Sequence, residues 1–167
     1  MATSEHAVQL AEALLQYCEI DPAGFRETNK ALITFDYETV IIVAVDGQLI
    51  HLAAMLGPAP NSPNMHKSLL NRNFDALAES AYRYAIDPGS GELVMSLCVP
   101  SEGLESDGFI RTFVAMVDYA SLWGHALYAG SDQIPELPGV DAAAQARNLE
   151  PHEGVQPGSS PFAPLRA

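Results

Sequence analysis

Asp118, Ser121 and His125 are the residue types of a hydrolytic centre: an orienting carboxylate, a nucleophile and a base. Their spacing argues against that chemistry. All three fall on one helical pattern, no Gly-x-Ser-x-Gly elbow occurs, and a serine inside a helix is poorly presented for attack. A helix with a polar flank accounts for them. Five histidines (His6, His51, His66, His125 and His152) raise the question of a metal. None stands three or four residues from another histidine or a cysteine, so no local ligand pair exists. His51 sits in an apolar strand run and reads as a half-buried, hydrogen-bonded side chain. Cys18 and Cys98 form no Cys-x-x-Cys pair and read as free, buried thiols of a reducing compartment. The run Asp-Pro-Gly-Ser-Gly-Glu at 87–92 lacks the Lys-Ser/Thr of a phosphate-binding loop and joins two strand patterns, so it is a turn. The chain therefore reads as a non-enzyme with no cofactor and no metal.

The elements that carry these residues follow from periodicity. Over 5–18, Val8, Ala11, Leu14, Leu15 and Cys18 recur at helical spacing behind a Thr3 or Ser4 cap, and Asp21-Pro22 with Gly24 ends the helix. Residues 31–37 alternate as a strand. Residues 39–57 hold two more strands around Asp46-Gly47, a strong hairpin signal. Val40 to Val45 is apolar on both faces, which suits the middle of a sheet. Ser62 and Pro63 then start a second helix that puts Met65, Leu69, Leu70, Phe74 and Leu77 on one side. A hairpin over 81–100 follows, alternating at Tyr82, Tyr84 and Ile86, then at Leu93, Met95, Leu97 and Val99. The last helix, 108–130, runs about six turns. Its stripe is Phe109, Ile110, Phe113, Val117, Ala120, Gly124 and Leu127, and Gly130 closes it.

The order is helix, three strands, helix, two strands, long helix. Short hairpins join antiparallel neighbours, so the fold class is α+β: an antiparallel sheet with flanking helices. Residues 1–130 make one domain, and 131–167, rich in Pro, Gly and Ala, read as a flexible tail with one weak helix near Asp141 to Leu149. The whole chain has 167 residues, 48% of them hydrophobic, and a formal net charge of −13. An acidic surface without a basic patch excludes nucleic acid and disfavours anionic membranes. No basic leader with an apolar core and no run of about 18 apolar residues occurs, so neither signal peptide nor membrane span is expected. The cytoplasm is the expected compartment.

What remains is apolar surplus. The second helix has too broad an apolar face for one contact. Either both sides lie within one core, or one side is a symmetric dimer contact. Leu10, Tyr17, Phe35 and Tyr37 likewise exceed what one helical stripe and one strand face require.

Residues 69–100, with Asp87-Pro88-Gly89-Ser90-Gly91-Glu92-Leu93-Val94-Met95-Ser96 at the turn, resemble a stretch of the Tir chaperone family, the class I type III secretion chaperones that serve effectors. That family carries helix, strand, a D-P-x-x-G-x-L-V-L-S turn and strand. The closing helix, with Phe109, Phe113, Val114, Tyr119 and Trp123, is similar to the family's closing amphipathic helix. The resemblance covers about residues 5–130. It implies a cytoplasmic homodimer without enzymatic activity or cofactor. Such a protein binds the N-terminal segment of a secreted effector, holds it non-globular and presents it to the secretion machinery, with a secretion-system ATPase as a further partner. By matching position it implies a dimer contact at Leu69, Leu70, Phe74 and Leu77. It places effector contacts at Leu14, Tyr17, Phe35, Tyr37 and Ile50. The tail from Ser131 is longer than the family core requires. Two other readings fit the composition: a small-molecule-binding α+β module, which needs an enclosed pocket, and an adaptor subunit without a dedicated client.

Overall fold

Local chemistry sets the element boundaries in the computed structural model, which describes residues 3–35, 39–79 (75–79 as backbone), 82–130 and 134–135. Helix α1 spans Glu5–Tyr17, and the Ser4 hydroxyl accepts from the Ala7 N–H at 3.5 Å. Glu19 ends it in the left-handed region, φ 58. Ile20 N–H donates to Leu15 C=O at 2.8 Å and Glu19 N–H to Gln16 C=O at 3.0 Å, which satisfies the last carbonyls of the helix.

The chain then does something its pattern did not announce. Asp21 caps a 3-10 turn, Pro22–Gly24, and a four-residue helix α2, Phe25–Thr28, buries Phe25. Four residues are too few for periodicity to show. Arg26 returns this turn to α1, donating to both Glu12 oxygens at 2.6 and 2.8 Å and pairing with Glu5 at 3.0 Å.

Five strands follow the expected order: β1 Lys30–Phe35, β2 Thr39–Asp46, β3 Leu49–Pro58, β4 Arg83–Ile86 and β5 Glu92–Pro100. They form one antiparallel sheet in the order β1-β2-β3-β5-β4. In the β2–β3 hairpin Asp46 pairs with Leu49, so the two turn residues are Gly47 and Gln48, and only Gly47 has positive φ. The tolerance of Asp46 for positive φ is not used. Leu56 is an extra residue between the Met55–Val94 and Gly57–Leu93 pairs, a bulge that Gly57 accommodates at φ 104.

Helix α3, Pro63–Glu79, begins with Met65 N–H donating to the Ser62 hydroxyl at 3.3 Å. Helix α4 is Ser106–Tyr128, and Gly130 follows it at φ 67. Helices α1 and α4 pack on each other and on β2 and β3, while α3 packs on β4.

One face of the sheet meets these helices. Ile33, Ile41, Val43, Val45, Ile50, Leu52, Leu93, Met95 and Leu97 point into that core. From α4 it receives Phe109, Phe113, Met116, Val117, Ala120 and Trp123. The buried stripe is rotated from the expected one: Tyr119 and Trp123 are inside, whereas Gly124 is exposed and Ile110 and Leu127 are half-buried. Leu10 is no surplus, being buried in the core. Of the expected tail only Ile134 and Pro135 are described. Ile134 packs half-buried against the core, and Pro135 C=O accepts from the Tyr119 hydroxyl at 2.9 Å. The remaining residues after Gly130, with the helix expected near 141–149, lie outside the described residues.

Candidate functional site

Two surfaces are apolar without being covered by the described residues. The first is a stripe of α3. Residues four apart share a helix face, and Leu70 and Phe74 stand out from the chain with 68% and 76% of their surface exposed. Met65 and Leu69 are on the opposite side, in the core. The helix thus divides the apolar set expected on one side. Leu69, expected in a dimer contact, is 6% exposed and packs in the core of its own chain. Leu77's side chain lies outside the described residues.

The second is the outer face of the sheet. Side chains alternate along a strand, so the residues between the core positions form the other face. Cross-strand pairing lines up Leu32, Ile42 and Ala53 in one row and Val40, Met55, Val94 and Ala85 in the next. Leu32 is 61% exposed, and Val40, Ile42, Ala53, Met55 and Val94 are half-buried by their neighbours alone. Polar groups frame the patch: Lys30 and Thr34 on β1, His51 on β3, and Ser96 on β5. His51 and Cys98 are cross-strand neighbours here, both exposed, where both were expected at least partly buried. Cys18 is half-buried, and burial pushes its thiol up to about 11.

The sheet edges differ. In an antiparallel pair alternate residues turn their N–H and C=O away from the partner strand. On β1 these are Lys30, Leu32 and Thr34, because Asn29 C=O accepts from Val45 N–H at 2.9 Å. The Thr28 hydroxyl takes both groups of Lys30, at 2.9 and 3.3 Å, while the register turns the groups of Leu32 and Thr34 outward. On β4 the Asn73 side chain occupies the outward groups of Tyr84. Its amide nitrogen donates to Tyr84 C=O and its oxygen accepts from Tyr84 N–H, both at 2.7 Å.

The residues expected to contact an effector are scattered by this geometry. Leu14 and Ile50 are fully buried. They are core residues, packed between helix and sheet. Phe35 is at the core rim, its ring 5.7 Å from that of Phe113. Tyr17 is exposed at 36%, and Tyr37 lies outside the described residues. Periodicity missed Leu32, Ile42, Met55 and Val94. The available signal was the two-faced apolar run Val40 to Val45, which reads equally as a doubly covered strand.

The chemistry-bearing residues stay apart. Asp118 and His125 are exposed on α4, and their side chains share no hydrogen bond with that of Ser121. Among the described residues no group of three or more His, Cys, Asp or Glu is placed to hold a metal ion. The turn after β4 is built around Asp87. Its carboxylate accepts from the Ser90 hydroxyl at 2.8 Å and from the N–H groups of Ser90 and Gly89 at 3.0 and 3.3 Å. Those bonds, the Ser90 hydroxyl's first, hold its pKa below the ordinary value.

A family model, that of the Tir chaperone protein (CesT) family, matches residues 9–124. The chain belongs to that family. It is a type III secretion effector chaperone. Three solved structures share the fold. The chaperone–effector complex of HopA1 and SchA aligns at 18% identity and TM-score 0.58, over 71% of this chain and 92% of that one. The ExsC–ExsE complex aligns at 14% identity and TM-score 0.63, over 75% and 96%. The Yersinia pestis type III secretion chaperone SycH, in complex with a fragment of YscM2, aligns at 14% and 0.56, over 70% and 98%. No curated protein matches the sequence. No helix among the described residues is long and apolar enough to cross a membrane.

Proposed function

We propose that this chaperone holds the N-terminal segment of its effector across the outer face of the sheet, against the β1 edge. The observation that carries the reading is the coincidence of two needs at one place. An extended chain has unpaired N–H and C=O groups and alternating side chains. Strand β1 turns the backbone groups of Leu32 and Thr34 outward, and Leu32, Ile42, Val40 and Met55 lie beside that edge as an apolar platform. Adding a strand satisfies the first need and seats side chains for the second. Of the residues first expected there, Tyr17 and Phe35 remain as flanking contacts, and Tyr37 is proposed with them. The task is binding, with no catalytic step and no cofactor, and it belongs in the cytoplasm, where the client waits before export. Handover to a secretion-system ATPase is the corresponding last step.

The assembly is proposed to be a homodimer paired through Leu70 and Phe74 of α3, with Leu77 on the same helix. Two large hydrophobes one turn apart at more than two-thirds exposure are the observation behind this. The net charge of −13 favours a basic client segment.

Calorimetry on the full-length protein with N-terminal segments of effectors encoded beside it tests the function. Binding with a strongly negative heat-capacity change is expected, and Leu32→Asp is expected to abolish it without lowering the melting temperature. If none of these segments binds, or if Leu32→Asp binds like the wild type, the proposed site is wrong.

A further inference from the structure

Tyr82, Tyr84 and Tyr119 form a shelf where β4 meets α4. The rings of Tyr82 and Tyr119 are 5.4 Å apart, and Tyr84 packs at the same distance on Trp123. All three tyrosines are buried. Burial pushes the Tyr82 phenol up to about 12 and raises that of Tyr84, so these hydroxyls stay protonated and able to donate. Their bonds run in one direction. The Tyr84 hydroxyl donates to the Tyr119 hydroxyl at 3.2 Å, which donates to Pro135 C=O at 2.9 Å. The acceptor belongs to the segment after α4, and the neighbouring Ile134 side chain packs against the core there. At its other end the series reaches α3, because the Tyr84 backbone is held on both sides by Asn73, between Leu70 and Phe74 in sequence.

We infer that the Tyr82–Tyr84–Tyr119 shelf is a docking surface for this chain's own C-terminal segment at Ile134–Pro135, and that docking there secures β4 and α3. The surface fits such an occupant. An aliphatic side chain takes the apolar rim, and a carbonyl takes a phenol that is otherwise buried without an acceptor. Release of the segment removes that hydrogen bond and the packing of Ile134, which makes it a step that loosens its surroundings. Strand β4 is the natural place for that loosening. It has four residues, lies at the sheet edge, and is held by β5 on one side and a single asparagine on the other. The inference does not depend on the effector or on dimer formation.

Hydrogen exchange on two full-length variants tests it. Ile134→Asp puts a charge where the segment packs and changes nothing in the shelf itself. Tyr119→Phe keeps the ring but removes the donor to Pro135 and the acceptor for Tyr84. Both are expected to lower protection of the Tyr84 amide and the α3 amides by roughly tenfold, the equivalent of one lost hydrogen bond, with α1 unchanged. Protection within twofold of wild type in Ile134→Asp would overturn the inference. So would an equal fall in α1 and α3, which would make the segment a support for the whole core.

Discussion

The two faces of the sheet are built from nearly the same residues and meet different fates. On β2 the core face is Ile41, Val43 and Val45, and the outer face is Val40, Ile42 and Ala44. The first set is buried under α1 and α4, and the second is left half-covered. A soluble chain that served only its own stability would place polar residues on the second face, as antiparallel sheets commonly do. Apolar identity therefore marks two separate demands here: one face folds the chain, and the other is the face proposed above to receive a client. Helix α3 repeats the division on a smaller scale, with Met65 and Leu69 inward and Leu70 and Phe74 outward.

Substitution on the outward faces and on the inward face should separate these demands. The largest effect is expected from Phe74→Asp. A two-fold contact would bury the new carboxylate twice, at a cost of several kcal/mol. Sedimentation should show monomer, and far-ultraviolet circular dichroism should show the fold intact, because Phe74 is 76% exposed in the chain alone. A variant that remains dimeric removes α3 from the interface.

Next comes a matched pair on the sheet. Leu52→Ala opens a cavity in the covered face and should cost about 2–5 kcal/mol in chemical denaturation. Ile42→Ala should change stability by less than about 1 kcal/mol and weaken effector-segment binding roughly tenfold. Equal stability losses from the two would erase the distinction between the faces.

The smallest effect concerns the β4–β5 turn and sharpens the comparison from a polar site. Hydrogen bonds depress the Asp87 pKa in the folded chain. The unfolded chain then binds more protons as pH falls below the ordinary carboxylate value of about 4. The stabilisation is therefore complete above that value and is lost as pH drops through the folded one. Asp87→Asn should flatten this acid loss of stability, measured by urea midpoints across the range, and should leave effector binding at neutral pH unchanged.

Much of this molecule is legible in its residues. The strands, the three long helices and the Ser4 and Ser62 caps follow from alternation, helical spacing and short-range hydrogen bonding, which are local properties. The family resemblance also lay in a local feature, the turn at Asp87. What periodicity does not carry is which apolar face remains uncovered. Val40, Ile42 and Met55 look like core residues because their chemistry is that of a core. Leu14 and Ile50 were drawn into a contact surface by position alone. Whether a face is covered depends on where α1 and α4 cross the sheet, a long-range outcome that no window of residues contains. The four-residue helix at Phe25 and the Asn73 bonds to Tyr84 escaped for related reasons. The one is shorter than a period, and the other joins residues eleven apart through a side chain.

Those Asn73 bonds have a bearing on valency. A sheet with two available edges can accept a strand on either side, and the product can accept another, which is the route to open-ended fibres. In this chain the outward groups of Tyr84 are occupied by an amide that matches them donor for acceptor, while Leu32 and Thr34 turn theirs toward a side that no described strand fills. Strand addition at β4 is thereby blocked at Tyr84, where an incoming chain would have to displace Asn73. For the proposed client site this makes β1 the more open of the two edges, a useful bias for a protein whose work is to keep another polypeptide unfolded.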